Sequence, residues 1–231
     1  MMLGSRTGAW SGKSLPYDYE VEWLENPPNP SEAWIDSGIK ASGDTWVNVD
    51  YMINSSASGF IRKAGTDIFW GSDIKYSRSI GFEYQYGYII PAYFTQYSGW
   101  AGDLFAYLSD GLPPNRAVVD LRNGILTINA KNPFVLSDAK TFDSVNNVTF
   151  FYSPIGGQGQ SKQNGCVRIY EASIGRGGES LHLIPVVSNG QGAMFNTYGR
   201  GGMNADGTPR TDGLFVNRGT GAFIIGPDKT T

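Results

Sequence analysis

The chain has 231 residues and a formal net charge of −3, from 18 basic and 21 acidic side chains. Glycine accounts for 31 residues and aromatic side chains for 13% of the chain, whereas charged residues make up only 17%. This composition favours short strands joined by tight turns over a helical bundle or a disordered tail. The absence of a basic excess argues against a nucleic-acid partner.

The first residues differ from the rest of the chain, because they are rich in Gly and Ser and show no hydrophobic periodicity. We interpret residues 1–18 as an N-terminal arm and residues 19–231 as one folded domain. Such an arm is ordered only where something holds it, so it is expected to contact either another subunit or its own domain. No signal-peptide pattern and no membrane-spanning run occurs in this sequence, which predicts synthesis in the cytoplasm without membrane insertion.

Short segments with strand patterns follow one another along the body of the chain. Residues 45–52 alternate apolar and polar side chains, with Asn48 and Asp50 on the polar face, which is typical of a half-buried strand. Helical spacing is not sustained anywhere over ~12 residues, so little helix is predicted. The further predicted strands are residues 19–24, 33–39, 79–86, 88–95, 117–122, 125–129, 145–152, 166–174, 180–187, 214–217 and 222–225. So many strands must close into a sandwich or barrel to share one core.

Turn residues predict two hairpins. Asn123-Gly124 separates two apolar segments, and this dipeptide tolerates the positive φ that both positions of a type I′ turn require. Residues 218–221 separate the last two segments and predict a second hairpin. Pro91 inside an aromatic segment predicts an edge strand or a bulge, because proline cannot donate a ladder hydrogen bond.

Several of these segments resemble the concanavalin A-like (LamG-like) jelly-roll domains of gut-bacterial and phage proteins. The motifs that carry the resemblance are Tyr19–Glu25, Ala33–Ile39, Trp46–Tyr51, Val167–Ala172, His182–Val186 and Leu214–Pro227. The chain departs from the family pattern at residues 26–32, and residues 190–212 are longer than usual. The resemblance implies an all-β sandwich of two curved antiparallel sheets with little helix. It also implies an adhesion or carbohydrate-binding module, or an appended domain of a virion protein.

The residue types in this sequence give little support to an enzymatic function. Cys166 is the only cysteine and His182 the only histidine, so an intramolecular disulfide is excluded and a His/Cys zinc site lacks ligands. Cys166 is interpreted as a small buried hydrophobe, and His182 as a surface or cross-strand residue instead of a catalytic base. The Glu-x-Asp-x-x-Glu pattern of glucanases with this fold is absent. A non-enzyme is therefore predicted, and a divergent glycosidase using Glu83 or Glu171 is the weaker alternative.

No cofactor is predicted, although the resemblance leaves calcium open at loop oxygens. The candidate ligands are Asp103, Asp110 and Asn115 in one loop, or Asn204 and Asp206 in another. Neither group has the spacing of an EF-hand.

Aromatic side chains crowd residues 69–107. Sugars stack on aromatic faces while amides and carboxylates bind their hydroxyls, so part of this cluster is a candidate glycan platform, the other interpretation being core. The candidate ligand-binding residues are Trp70, Tyr86, Tyr97 and Trp100. The resulting hypothesis is a non-catalytic adhesion, carbohydrate-binding or virion-surface module, such as part of a phage fibre.

The predicted partners and location follow from that hypothesis. They are a glycan or cell-surface receptor, copies of the same chain in a homo-oligomer, and other virion or assembly subunits contacted through the arm. The expected location is a virion or an extracellular surface assembly. The alternative function is a purely structural virion protein, such as a decoration, fibre or joining subunit.

Overall fold

A computed structural model describes residues 14–27, 33–53, 66–72, 79–85, 88–94, 96–97, 116–135, 143–151 and 167–229. These residues form 17 β-strands and no helix. The strands are β1 (Tyr19–Glu20), β2 (Leu24–Glu25), β3 (Ile35–Ser42), β4 (Trp46–Ile53), β5 (Thr66–Ser72), β6 (Ser79–Gln85), β7 (Tyr88–Phe94), β8 (Gln96–Tyr97), β9 (Ala117–Arg122), β10 (Ile125–Ile128), β11 (Lys131–Val135), β12 (Asp143–Phe150), β13 (Val167–Arg176), β14 (Glu179–Ser188), β15 (Gln191–Asn196), β16 (Leu214–Val216) and β17 (Ile224–Ile225). No helix in the described ranges is long and apolar enough to cross a membrane.

The strands form two antiparallel sheets. The larger sheet has 11 strands, and its main order is β11-β10-β9-β4-β13-β14-β15-β16. Its three remaining strands lie off this path: β1 pairs with β14, β2 pairs with β13, and β17 pairs with β2. The smaller sheet has the order β3-β12-β5-β6-β7-β8. The predicted all-β sandwich is therefore confirmed.

The main core lies between the two sheets. The larger sheet contributes alternate residues such as Val47, Val49 and Tyr51, whereas Ile35 and Phe150 come from the smaller sheet. These side chains are at most 4% exposed. The two-residue alternation of buried and half-exposed side chains along β4 and β9 leaves the opposite face of the larger sheet polar. We call this opposite face the outer face.

A second apolar cluster lies on the outer face at β14, β15 and β16. It consists of Ile184, Val186, Ala193, Phe195 and Leu214, with Tyr17 and Val216 packed against it. Their neighbours along the same strands, such as Leu183 and Met194, belong instead to the main core, so this part of the sheet is apolar on both faces.

Residues 14–18 lie on this second cluster. The Tyr17 ring centroid is 4.9 Å from that of Phe195, and the Asp18 N–H donates a 2.7 Å hydrogen bond to the Val187 carbonyl. The Ser188 hydroxyl donates to the Pro16 carbonyl at 3.1 Å. This end of the expected arm thus contacts its own domain. Residues 1–13 lie outside the described part of the chain, and contact with other subunits stays a prediction.

The turn chemistry predicted one hairpin correctly and one wrongly. Asn123 and Gly124 have φ of 52° and 71° and join β9 to β10, as the type I′ prediction requires. The second hairpin is wrong, because β16 pairs with β15 while β17 pairs with β2. Residues 19–24 also form no continuous strand: β1 ends at Glu20, and Val21 makes only an isolated bridge to Asp228.

Candidate functional site

A row of hydrogen-bonding side chains crosses the outer face of the larger sheet. The strand register places Asp120 of β9 opposite Asn48 of β4, Asn48 opposite Ser173 of β13, and Ser173 opposite His182 of β14. Neighbouring strands are ~4.8 Å apart, so four strands span roughly 14 Å. We call these four residues the polar row.

Hydrogen bonds orient both ends of the polar row. The Asn48 Nδ2 donates to Asp120 Oδ2 at 3.1 Å. At the other end, the His182 Nδ1 lies 2.8 Å from the Thr197 hydroxyl. His182 also contacts Glu171, whose Oε1 is 2.6 Å from Nε2. The side chain of His182 is 13% exposed and that of Glu171 is 50% exposed, so the row can be reached from solvent at this end.

Asp50 lies beside the polar row and faces Glu171 across the β4–β13 pair. Arg116 binds Asp50 through both guanidinium edges, with Nε 2.8 Å from Oδ1 and Nη2 2.7 Å from Oδ2. These hydrogen bonds raise the pKa of Arg116. The same guanidinium lies 4.0 Å from the centroid of the Tyr170 ring. Two carboxylates on neighbouring strands are therefore each held by a basic side chain.

A β-bulge in β13 explains why Tyr170 and Glu171 are both accessible. The pairing with β4 shifts register between Ile169 and Glu171. The buried residues on either side, Ile169 and Ala172, therefore both stay in the main core. The extra residue of a bulge re-aims side chains, and bulges are common beside functional sites.

Trp46 borders the polar row, but its ring is covered. A Cβ added to Gly175 would lie 2.5 Å from the indole, so the ring lies directly on this glycine. The guanidinium carbon of Arg122 lies 4.3 Å from the ring centroid. A sugar could stack on Trp46 only after Arg122 moved away. The described part of this face therefore offers hydrogen-bonding groups more than aromatic faces.

The four aromatic residues predicted to bind ligand remain predictions. Tyr86 and Trp100 lie outside the described residues. Trp70 lies in β5 and Tyr97 in β8, but their side chains lie outside the described part of the structure. The row on the larger sheet is thus a separate candidate that the sequence did not single out.

The loop oxygens considered for calcium have protein partners. Asp206 Oδ1 accepts hydrogen bonds from the Thr208 N–H and hydroxyl, at 2.9 and 2.7 Å. Asn204 Oδ1 accepts from Arg210 Nη1 at 2.9 Å. Asp103, Asp110 and Asn115 lie outside the described residues. Within the described ranges, no three His, Cys, Asp or Glu side chains form a group that could hold a metal ion.

The alternation in the sequence placed one residue of the polar row, Asn48, and its neighbour Asp50 on the outer face. Alternation along residues 45–52 places Asn48 and Asp50 on the polar face, and the structure confirms it. No local pattern indicates that Asp120 and His182 lie in the same row as Asn48, because that arrangement depends on pairing between distant strands. Neither a protein-family model nor a curated protein matches this chain.

Proposed function

We propose that this protein is a non-catalytic carbohydrate-binding module that uses the polar row on the outer face of its larger sheet. The observation that carries the proposal is the alignment of Asp120, Asn48, Ser173 and His182 across four paired strands. Sugar hydroxyls both donate and accept hydrogen bonds, and these side chains supply both functions. Sites held on strands are also more precise than sites on loops.

The sequence resemblance supports the same proposal. It suggests a concanavalin A-like jelly roll that works in adhesion. The setting we propose is a phage fibre or another surface assembly, in which the ligand is a glycan or a cell-surface receptor. In that setting the module would be repeated, so weak individual contacts would add through avidity.

The hydrogen bonds that two carboxylates on this face already make support the non-catalytic part of the proposal. Asp50 has both oxygens bound by Arg116, and Asp120 accepts a hydrogen bond from Asn48. A catalytic acid must instead hold a proton that it can transfer. These side chains are better suited to orient hydroxyls than to move protons.

A glycan array followed by calorimetry tests the proposal. We expect the protein to bind one class of oligosaccharide and the variant N48A/D120A to lose about tenfold or more in affinity, since each hydrogen bond to a charged group contributes ~1.5–3 kcal/mol. K40A is the matched control, because Lys40 is exposed on the smaller sheet. An absence of glycan and cell-surface binding, or equal binding by N48A/D120A and wild type, would refute it.

One observation favours a second candidate, a divergent glycosidase. Asp50 and Glu171 face each other on neighbouring strands, and retaining glycosidases use two carboxyl groups ~5–5.5 Å apart. Hydrolysis of a bound oligosaccharide that E171Q abolishes, with binding unchanged, would establish this function. Binding without turnover would favour the non-catalytic module.

A further inference from the structure

A separate cavity lies where β3 and the start of β14 meet the loop at residues 199–213. Its volume is about 350 Å³, within the range of small-molecule sites. The buried apolar side chains that line it are Ile39, Leu181, Met203 and Phe215. None of the four residues of the polar row lines this cavity, so it is a separate site from the proposed glycan site.

The loop backbone brings the cavity wall close to the sheet. Gly202 has φ of +131°, and a Cβ there would lie 2.5 Å from the Leu214 carbonyl oxygen. Gly201 also has a positive φ, of +70°. Glycine allows the backbone of the cavity wall to have these positive φ angles, which other residues rarely adopt. The backbone at these two glycines therefore forms part of the cavity wall.

The charged side chains around the cavity differ in their partners. Arg210 is bound to Asp212, with Nε 2.9 Å from Oδ1, and to Asn204. Arg200, by contrast, has no carboxylate partner within the described ranges, and its guanidinium carbon lies 5.9 Å from the Tyr198 ring centroid. Arg200 is thus the basic group at this cavity that a ligand could engage.

We propose that this cavity binds a small carboxylate with an apolar body. The apolar body would contact the buried side chains, and the carboxylate would pair with Arg200, whose planar guanidinium matches two carboxylate oxygens. Glu179 also lines the cavity and would repel a doubly charged phosphate more strongly than a carboxylate. This proposal does not depend on the carbohydrate-binding function.

The test is a titration followed by amide chemical shifts in ¹⁵N-labelled protein. N-acetylphenylalanine and octanoate represent an amino-acid-like source and a fatty-acid source, and their neutral amides are the matched controls. We expect at least one carboxylate to shift the amides of residues 201–203 saturably, and its amide to bind about tenfold more weakly.

Two variants with opposite expected effects separate charge recognition from a structural role. R200Q should weaken binding of the carboxylate about tenfold, whereas E179Q should strengthen it, because a repelling charge is removed. R122Q is the control, since Arg122 is also an exposed arginine over an aromatic ring but lies elsewhere. Failure of both carboxylates to bind, equal binding of the amides, or wild-type affinity in R200Q would each overturn the proposal.

Discussion

The ion pair between Asp36 and Arg218 links the smaller sheet to the segment that follows β16. Asp36 Oδ1 accepts hydrogen bonds from the Gly38 N–H at 2.8 Å and from Asn147 Nδ2 at 2.9 Å, and Oδ2 accepts from Arg218 Nη1. The Arg218 N–H donates to the Trp34 carbonyl at 2.9 Å. We predict that D36A destabilises the fold strongly, because it leaves several donors without their acceptor.

The exposure of the two side chains sets the expected magnitude. Asp36 is 7% exposed and Arg218 is 24% exposed, and Arg218 Nε is already buried without a partner. Removing one member of a buried ion pair costs ~3–5 kcal/mol. Water can reach part of the Arg218 guanidinium, so we expect the low end, about 3 kcal/mol.

Urea unfolding followed by tryptophan fluorescence measures this cost. The double variant D36A/R218A should be less destabilised than the sum of the single variants, by ~1 kcal/mol or more, because the two groups interact directly. D120A removes a more exposed carboxylate, which lies 3.5 Å from Arg122 in a pair whose side chains are 31% and 50% exposed and accepts one hydrogen bond from Asn48. It should therefore cost less than D36A, about 1–2 kcal/mol. A cost below ~1 kcal/mol for D36A, or strict additivity in the double variant, would refute the reasoning.

Three further predictions follow from other contacts. G175A should displace the Trp46 indole, which an added Cβ would approach to 2.5 Å, at ~1–2 kcal/mol; an unchanged near-ultraviolet circular dichroism spectrum would contradict this. The hydrogen bond from Arg210 lowers the pKa of Asp212 below its ordinary value of 3.8. The ionised Asp212 therefore stabilises the folded state above pH 3.8, and this contribution is lost as the pH falls through the lowered pKa. D212N should therefore have a lower melting temperature than wild type at pH 7, and the difference between the two melting temperatures should become smaller toward pH 3. A difference that stays constant over this pH range would argue against the pair. Y17A should uncover the second apolar cluster and cost ~1–2 kcal/mol; equal protease resistance of residues 14–20 in wild type and variant would show that the ring is dispensable.

Local chemistry explains which parts of the fold could be predicted from the sequence. Asn123 and Gly124 determine their turn because the required φ values depend on those two residues alone. The expected hairpin at residues 218–221 failed because Asn217 and Arg218 make contacts outside it: Asn217 Oδ1 accepts from the Trp34 N–H at 3.0 Å, and Arg218 pairs with Asp36. Long-range contacts of this kind leave no periodic signal in the chain.

The candidate site could not be predicted from the sequence either, because it too depends on long-range contacts. The prediction searched for carboxylates two residues apart on one strand, whereas Asp50 and Glu171 lie opposite each other on two paired strands. His182 was predicted to be a surface or cross-strand residue, and its opposition to Ser173 confirms that placement. Its contacts with Glu171 and Thr197 depend on the order of strands in the larger sheet, which alternation alone cannot supply.

The bulge in β13 coincides with a change of neighbouring strand, and this explains how the outer face becomes accessible there. Before the bulge, Arg168 and Ile169 pair with β2; after it, residues from Ala172 onward pair with β14. Tyr170 and Glu171 therefore lie at the gap between two partner strands. If one strand paired with β13 along this whole edge, its side chains would pack beside Tyr170 and Glu171. The change of partner strand instead leaves Glu171 half exposed beside His182, so one end of the polar row is open to solvent.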